Sequence, residues 1–298
     1  MGDLSGTRRD VLRRGAAAIG VATLAGNAGC MGLLGGGSYS SWLPEPGTIG
    51  DSDHYRFTKL NMQGLAEDED ELADETDFEG FEDTWAPADV DWDDVSMLLR
   101  FEGVSVVQAD FETEDIVDDF EDEDYDEEEE YEGYKLLFGP KERSMAAVGD
   151  DTLVLAGMSY RGVEDPQDAV EDVIDTENGD EDRYEDDSDD FDEMIDELGD
   201  GDIVIGSTME PADETVDERG QFENQVAEGR VLDVNGDETD GKWVLVFEDE
   251  DDVDVDDVED WVDASQDNGG DFEDWDDVEV SESGRTVVVE AIADTDDI

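Results

Sequence analysis

The sequence is poor in the residues that build most catalytic and metal sites. It contains one histidine, His54, and one cysteine, Cys30. A single imidazole excludes zinc and copper sites that need several histidines, and a single thiol excludes a disulfide or a cysteine metal cluster. A nucleophilic triad needs an imidazole inside a framed pocket, whereas His54 follows a predicted linker. No glycine-rich phosphate loop precedes a predicted helix, so nucleotide binding has no support.

These absences narrow the catalytic classes to one. A pair of Asp or Glu side chains is enough for a glycosidase-like mechanism, but with 95 acidic residues the sequence singles out no pair. We therefore predict no enzymatic activity, no catalytic residue, no cofactor and no specific metal site, and carboxylate-based chemistry stays open.

Basic residues are also scarce. Lys and Arg together number 16 against 95 Asp and Glu, and the net charge is -79. Nucleic acid is excluded as a partner, because phosphates are bound by clustered Lys and Arg. Yet 37% of residues are hydrophobic, in blocks such as 95–101 and 242–247 that can form a core. The composition resembles that of proteins from halophilic archaea, which implies folding in molar salt and only weak, non-specific cation binding.

The amino terminus carries the clearest motif. Between Arg14 and Glu45 there is no charged residue, and the paired Arg8 and Arg9 precede two apolar residues and a weakly apolar run. This pattern resembles a twin-arginine export signal, so the resemblance implies the twin-arginine translocase as a partner during export. The glycine content of the run disfavours a membrane-spanning helix. We predict an export signal over residues 1–29.

The segment Asn27-Ala28-Gly29-Cys30 resembles an archaeal lipobox, although Asn27 stands where an aliphatic residue is usual. The resemblance implies that Cys30 carries a lipid and that the protein is anchored at the extracellular face of the cell membrane. Glycine, serine and proline are frequent over 30–53, which we interpret as a flexible tether.

The remainder predicts an α+β fold. Strands come mostly as adjacent pairs joined by tight turns, which favours a mostly antiparallel sheet with short amphipathic helices. Asp165 and Ser188 are predicted to begin two of these helices. The acidic stretch 121–130 is predicted to be a solvated loop. The segment 233–244 has alternating oxygen side chains but lacks the glycine and glutamate of an EF-hand, so Asn235-Gly236 and Asp240-Gly241 are predicted to be hairpin-turn residues.

We predict two modules, an α+β module over 54–210 and a smaller one over 222–298. Both contain the order strand, strand, helix, strand, strand, starting at Val95 and at Gln225. The two modules are therefore predicted to be related.

Three functions are compatible with this organisation. We favour a non-catalytic cell-surface lipoprotein that serves as an interaction or envelope-associated module, with envelope proteins as partners. The first alternative is a solute-binding lipoprotein of a transporter, for which a deep cleft between two lobes is expected. The second is a carboxylate-dependent hydrolase, for which a carboxylate pair in a cleft with sugar-stacking tryptophans is expected.

Overall fold

Twelve antiparallel strands form a single sheet in the computed structural model, which describes residues 39–50, 52–54, 56–72, 84–140, 143–157, 163–216, 220–268 and 270–298. The predicted export signal, with Arg8, Arg9 and Cys30, lies outside these residues. The strands are β1 Arg56–Leu60, β2 Val95–Phe101, β3 Val104–Ala109, β4 Asp126–Tyr131, β5 Tyr134–Phe138, β6 Ser144–Val148, β7 Thr152–Gly157, β8 Ile203–Thr208, β9 Gln225–Asn235, β10 Glu238–Phe247, β11 Trp275–Ser283 and β12 Thr286–Asp294.

The strand order across the sheet is β11-β12-β10-β9-β8-β1-β2-β3-β7-β6-β5-β4. The short strand β1 lies in the middle and pairs with β2 on one side and β8 on the other. The strands of both predicted modules therefore belong to one continuous sheet. The predicted α+β class with a large antiparallel sheet is confirmed.

Helices cover both faces of the sheet. They are α1 Met62–Glu67, α2 Thr113–Asp122, α3 Pro166–Asn178, α4 Tyr184–Asp187, α5 Asp189–Leu198 and α6 Val255–Asn268. On the first face, α3 packs on β6 and β7, and α5 packs on β8, β9 and β10. On the second face, α1 and α2 cover the half around β2 to β6, while α6 covers the half around β10 to β12. Within the described ranges, no helix has the length and hydropathy needed to cross a membrane.

The helix limits follow the local signals. The side chain of Asp165 accepts a hydrogen bond from the Gln167 amide at the start of α3, and Ser188 does the same for Phe191 at the start of α5. Gly179, at φ +80°, ends α3 in the left-handed region that favours glycine. Both predicted helix starts are confirmed.

Close packing of α5 depends on a glycine in the sheet. A Cβ atom on Gly229 of β9 would lie 2.5 Å from Leu198 Cδ1, which is far inside van der Waals contact. The missing side chain lets α5 approach the strands directly, and Leu198 is fully buried there.

The predicted tether over 30–53 extends too far into the folded part. Tyr39–Trp42 forms a 3-10 turn, and Tyr39, Trp42 and Leu43 are buried in the core of the first face. The hydroxyl of Tyr39 donates to the Gly199 carbonyl oxygen at 3.1 Å. Glycines and serines around these large apolar side chains had suggested a linker, but burial of the apolar surface fixes the segment.

Two further predictions are wrong. The stretch 121–130 is not a loop, because α2 continues to Asp122 and β4 pairs with β5. Strand pairing there uses backbone groups, which carry no hydrophobic signal. Likewise Gly241 lies inside β10 and not in a turn. A Cβ atom on Gly241 would lie 2.5 Å from the ring of Trp275. The hairpin turn is formed beside Asn235 by Gly236, at φ +66°, as predicted.

Candidate functional site: an arginine groove

A groove of about 200 Å³ opens on the second face of the sheet, where β1, β8 and β9 meet. It lies between the part covered by α1 and α2 and the part covered by α6. We call it the arginine groove, because Arg56 and Arg230 both line it. Its other lining residues are Ile205, Gly206, Ser207, Gly220, Glu228, Gly229, Trp243, Leu245, Trp261 and Asp271.

The strand register brings these side chains together. Arg230 of β9 lies opposite Ile205 on β8 and opposite Trp243 on β10. One row further along, Arg56 of β1 lies opposite Ser207. Side chains in such cross-strand rows point to the same face, so the two arginines project from strands on either side of β8.

Aromatic packing makes one wall rigid. Trp243 lies 4.6 Å from Phe272 between ring centroids, and Phe272 lies 4.9 Å from Trp261. Gly220, at φ +61°, abuts this wall, since a Cβ atom there would lie 2.6 Å from the Trp261 ring. Trp243 and Trp261 are only 8% and 5% exposed, so they offer little ring surface to the groove.

The two arginines of the groove differ from Lys59 and Arg285 in their surroundings. Lys59 Nζ lies 2.6 Å from Asp200 Oδ1, and Arg285 is held by two carboxylates. Among the residues that the structure describes, neither Arg56 nor Arg230 has a carboxylate oxygen within the 4.0 Å of an ion pair. Two guanidinium groups thus line the same groove without an ion pair in the described part of the chain.

The charge of Arg56 affects the Arg230 guanidinium. Burial, and after it the positive charge of Arg56, lowers the pKa of the Arg230 guanidinium, while the carboxylate of Asp271 opposes this shift. Arg230 stays protonated at every physiological pH, since a guanidinium titrates above about 12. The groove therefore holds two permanent positive charges that repel each other.

Two carboxylates also line the groove. Glu228 accepts a hydrogen bond from the side-chain amide of Gln225 at 3.2 Å, and Asp271 is exposed at the rim. The arrangement can therefore bind an anion at the guanidinium groups, with hydrogen-bond geometry that suits a planar carboxylate.

The groove was not predicted from the sequence. Arg230 was placed in a predicted strand, but the sequence alone could not show that β1 and β8 would lie beside it on an uncovered face. The one usable signal was that basic residues are rare after Cys30, so each one merited attention. His54, which follows the predicted linker, lies just before β1 and does not line the groove.

Exposed carboxylates form two small clusters elsewhere. Asp91, Asp93 and Asp94 make one, and a second lies at 294–297, each with oxygen atoms within 4.8 Å of one another. Such clusters are common in an acidic chain and need no bound ion, and we assign a metal site to neither.

Comparisons with known proteins identify no family for this chain. A scan against protein-family models and a search of curated proteins both find no match. Solved structures that resemble the chain include crystal forms I and III of TP0453, each with 8% sequence identity and a TM-score of 0.48. The form I comparison covers 86% of this chain and 93% of that one, and the form III comparison covers 88% and 96%.

Proposed function

We propose that the chain is a non-catalytic lipoprotein on the outer surface of a halophilic cell, and that its folded domain works by binding. The observation that carries the binding role is the arginine groove, where neither Arg56 nor Arg230 has a carboxylate oxygen within ion-pair distance among the described residues. Export and anchoring are proposed from Arg8, Arg9 and Cys30, and the salt adaptation from the net charge of -79.

The proposed anchor places the domain close to the membrane. Tyr39 is buried in the core, so only the eight residues 31–38 separate the proposed lipid on Cys30 from the folded part. A chain of that length spans at most about 30 Å. A domain on so short a tether meets other envelope proteins near the membrane surface, which suits the proposed partners.

A solute-binding role for a transporter is the second candidate. The volume of about 200 Å³ and the two cations of the groove suit a small anionic solute. The groove lies on the face of one continuous sheet, however, and not in a cleft between two lobes.

We also propose that the sheet consists of two related modules, with the boundary before β8 and not between residues 210 and 222 as the sequence predicted. The first is β1-β2-β3-α2-β6-β7 and the second is β8-β9-β10-α6-β11-β12, with the hairpin β4-β5 as an insertion at one edge. Their spatial orders, β1-β2-β3-β7-β6 and β8-β9-β10-β12-β11, are the same. The β1–β8 pair then joins the modules, and the arginine groove lies at this junction. A superposition of the two strand sets should match α2 with α6; helices on opposite sides after superposition would contradict the relationship.

The anchor is tested by fractionating cells that produce Cys30→Ser. Loss of the lipid should release the protein to the medium or leave it as an unprocessed precursor. An Arg8→Lys and Arg9→Lys double variant is the matched test of export, and it should remain inside the cell. Membrane retention of a correctly trimmed Cys30→Ser protein would contradict the lipid anchor.

A further inference from the structure

We infer that the arginine groove binds a small organic carboxylate, with Arg56 and Arg230 as the residues that contact its carboxylate groups. The inference rests on the proposed binding function and gives that function a ligand class. It is argued from the charges, the lining and the volume of the groove.

The two guanidinium groups of the groove have no ion pair in the described part of the chain. Burial first, and the positive charge of Arg56 second, lower the pKa of Arg230, while Asp271 opposes the shift. The chain contains 95 acidic residues, yet in the described part of the chain no carboxylate pairs with Arg56 or Arg230. Glu228 and Asp271 line the groove but lie beyond ion-pair distance, so a bound anion would make the direct contacts to the two guanidinium groups that these carboxylates do not make.

The donor geometry of arginine and the apolar lining of the groove indicate which kind of anion binds. A guanidinium presents its N–H donors in a planar fork that matches the two oxygens of a carboxylate. Apolar side chains form part of the floor beside the arginines, since Ile205, Leu245 and Trp243 line it. A ligand with a carbon skeleton covers this floor, whereas an inorganic oxyanion leaves it exposed to water.

The volume and the carboxylates of the groove limit the size and charge of the ligand. A volume of about 200 Å³ is below the range of roughly 300 to 1,000 Å³ that is typical of sites for drug-sized ligands. Glu228 and Asp271 also line the groove, so a polyanion would meet repulsion there. Small monocarboxylates and dicarboxylates fit both limits, and two arginines favour the dicarboxylates.

The net charge of -79 does not prevent anion binding in molar salt. The Debye length is then roughly 3 Å, so distant carboxylates are screened and groups in direct contact determine the interaction. Chloride competes for the site under these conditions. Binding must therefore come from bidentate geometry and apolar contact as well as from charge.

The experiment is isothermal titration calorimetry on the protein purified from membranes, in about 2 M KCl, with succinate as the probe. Succinamide, which has the same skeleton without charge, and sulfate are titrated beside it. We expect saturable heat with succinate, none with succinamide, and weaker binding of sulfate. Arg56→Gln and Arg230→Gln should each weaken succinate binding by about tenfold or more, since each removes a hydrogen-bonded charge contact.

Matched variants separate a lost contact from a lost fold. Arg143→Gln removes the same charge from an exposed loop outside the groove and should bind as the wild type does. Arg230→Lys keeps the charge but loses the planar fork, so its affinity should lie between those of the wild type and Arg230→Gln. Circular dichroism shows whether each variant is folded, and if Arg230→Gln is not, the Arg56→Gln and Arg230→Lys results decide.

Three results would overturn the inference: no saturable heat with succinate, equal affinity in the folded glutamine variants, or sulfate binding as tight as that of succinate. Failure of this titration leaves the proposed surface location standing, because cell fractionation tests that location separately. Conversely, succinate binding by a protein that stays in the cytoplasm would refute the location and keep the site.

Discussion

Asp172 illustrates what a charge of -79 means at a single position. It lies half-buried on α3. Burial first, and then the neighbouring carboxylates Glu181 and Asp168, together raise the pKa of its carboxyl to about 6. Because the folded chain favours the protonated form, ionised Asp172 at neutral pH weakens the folded state.

The pH dependence of stability follows from this shift. Between the ordinary pKa of 3.8 and the folded value of about 6, the folded state binds more protons than the unfolded state. The contribution of Asp172 to the free energy of unfolding is therefore greatest below this window and is lost as pH rises through it. Asp172→Asn should stabilise the protein at pH 7 by up to about 1 kcal/mol and flatten the profile between pH 4 and 7.

Urea unfolding at fixed molar KCl over that pH range measures the effect. Asp168→Asn is the matched control, because it removes the same charge from an exposed position on the same helix and should have the smaller effect. An Asp172→Asn profile that falls as steeply as that of the wild type would show that repulsion at this residue is not responsible.

Individual residues also mark where sequence reasoning ends. The caps at Asp165 and Ser188 are local, so the sequence predicted them correctly. Arg56 and Arg230 become a site only through pairing of β1 with β8, which joins residues about 150 positions apart in the chain. No local pattern contains that information.

At the scale of elements, α5 is held to the carboxyl-terminal strands by Arg285. The Arg285 Nε donates to Glu193 Oε2 at 2.6 Å. A second nitrogen of Arg285 contacts Asp190, and the third donates to the Asp189 carbonyl oxygen at 3.0 Å. Thr286 donates to the other oxygen of Glu193 at 2.5 Å. This network fastens the start of α5 to the start of β12.

Arg285→Gln should lower the free energy of unfolding by about 1 to 3 kcal/mol, because it leaves the acidic start of α5 without its cation. Combined with Glu193→Gln, the loss should be smaller than the sum of the two single losses, since both changes break the same contact. Urea unfolding of the four proteins measures the coupling. Additive losses would mean that the contact does not contribute to stability.

Element prediction failed where pairing depended on the backbone. Strand β4 is rich in Glu and has no hydrophobic pattern. It pairs through the hairpin turn at Glu132 and Gly133, both at positive φ. The buried turn at Tyr39 was missed for the opposite reason, because its flanking glycines and serines are typical of linkers.

At the scale of the whole molecule, one sheet carries all twelve strands, and residues 38–298 form a single compact unit. We therefore expect one cooperative unfolding transition. Self-repulsion should drive it when KCl falls below about 1 M, where screening no longer covers the spacings between carboxylates.

Far-ultraviolet circular dichroism reports the sheet, and near-ultraviolet signals report tryptophans such as Trp85 and Trp243 in different clusters of the core. Both signals should change together as KCl is lowered. Separate transitions would show that the predicted modules unfold independently, and full structure in dilute buffer at neutral pH would contradict the salt adaptation.

The central proposal is that a folded binding domain lies at the outer surface of the cell. The most direct measurement is protease treatment of intact cells in molar salt, using a salt-tolerant protease that does not cross the membrane, followed by detection of the protein in the membrane fraction. We predict that the protease digests the protein in intact cells, so that its amount in the membrane fraction falls below that of untreated cells. A cytoplasmic control protein should survive the same treatment. A membrane-associated protein that is protected until the cells are lysed, although it is cleaved readily afterwards, would contradict the surface location.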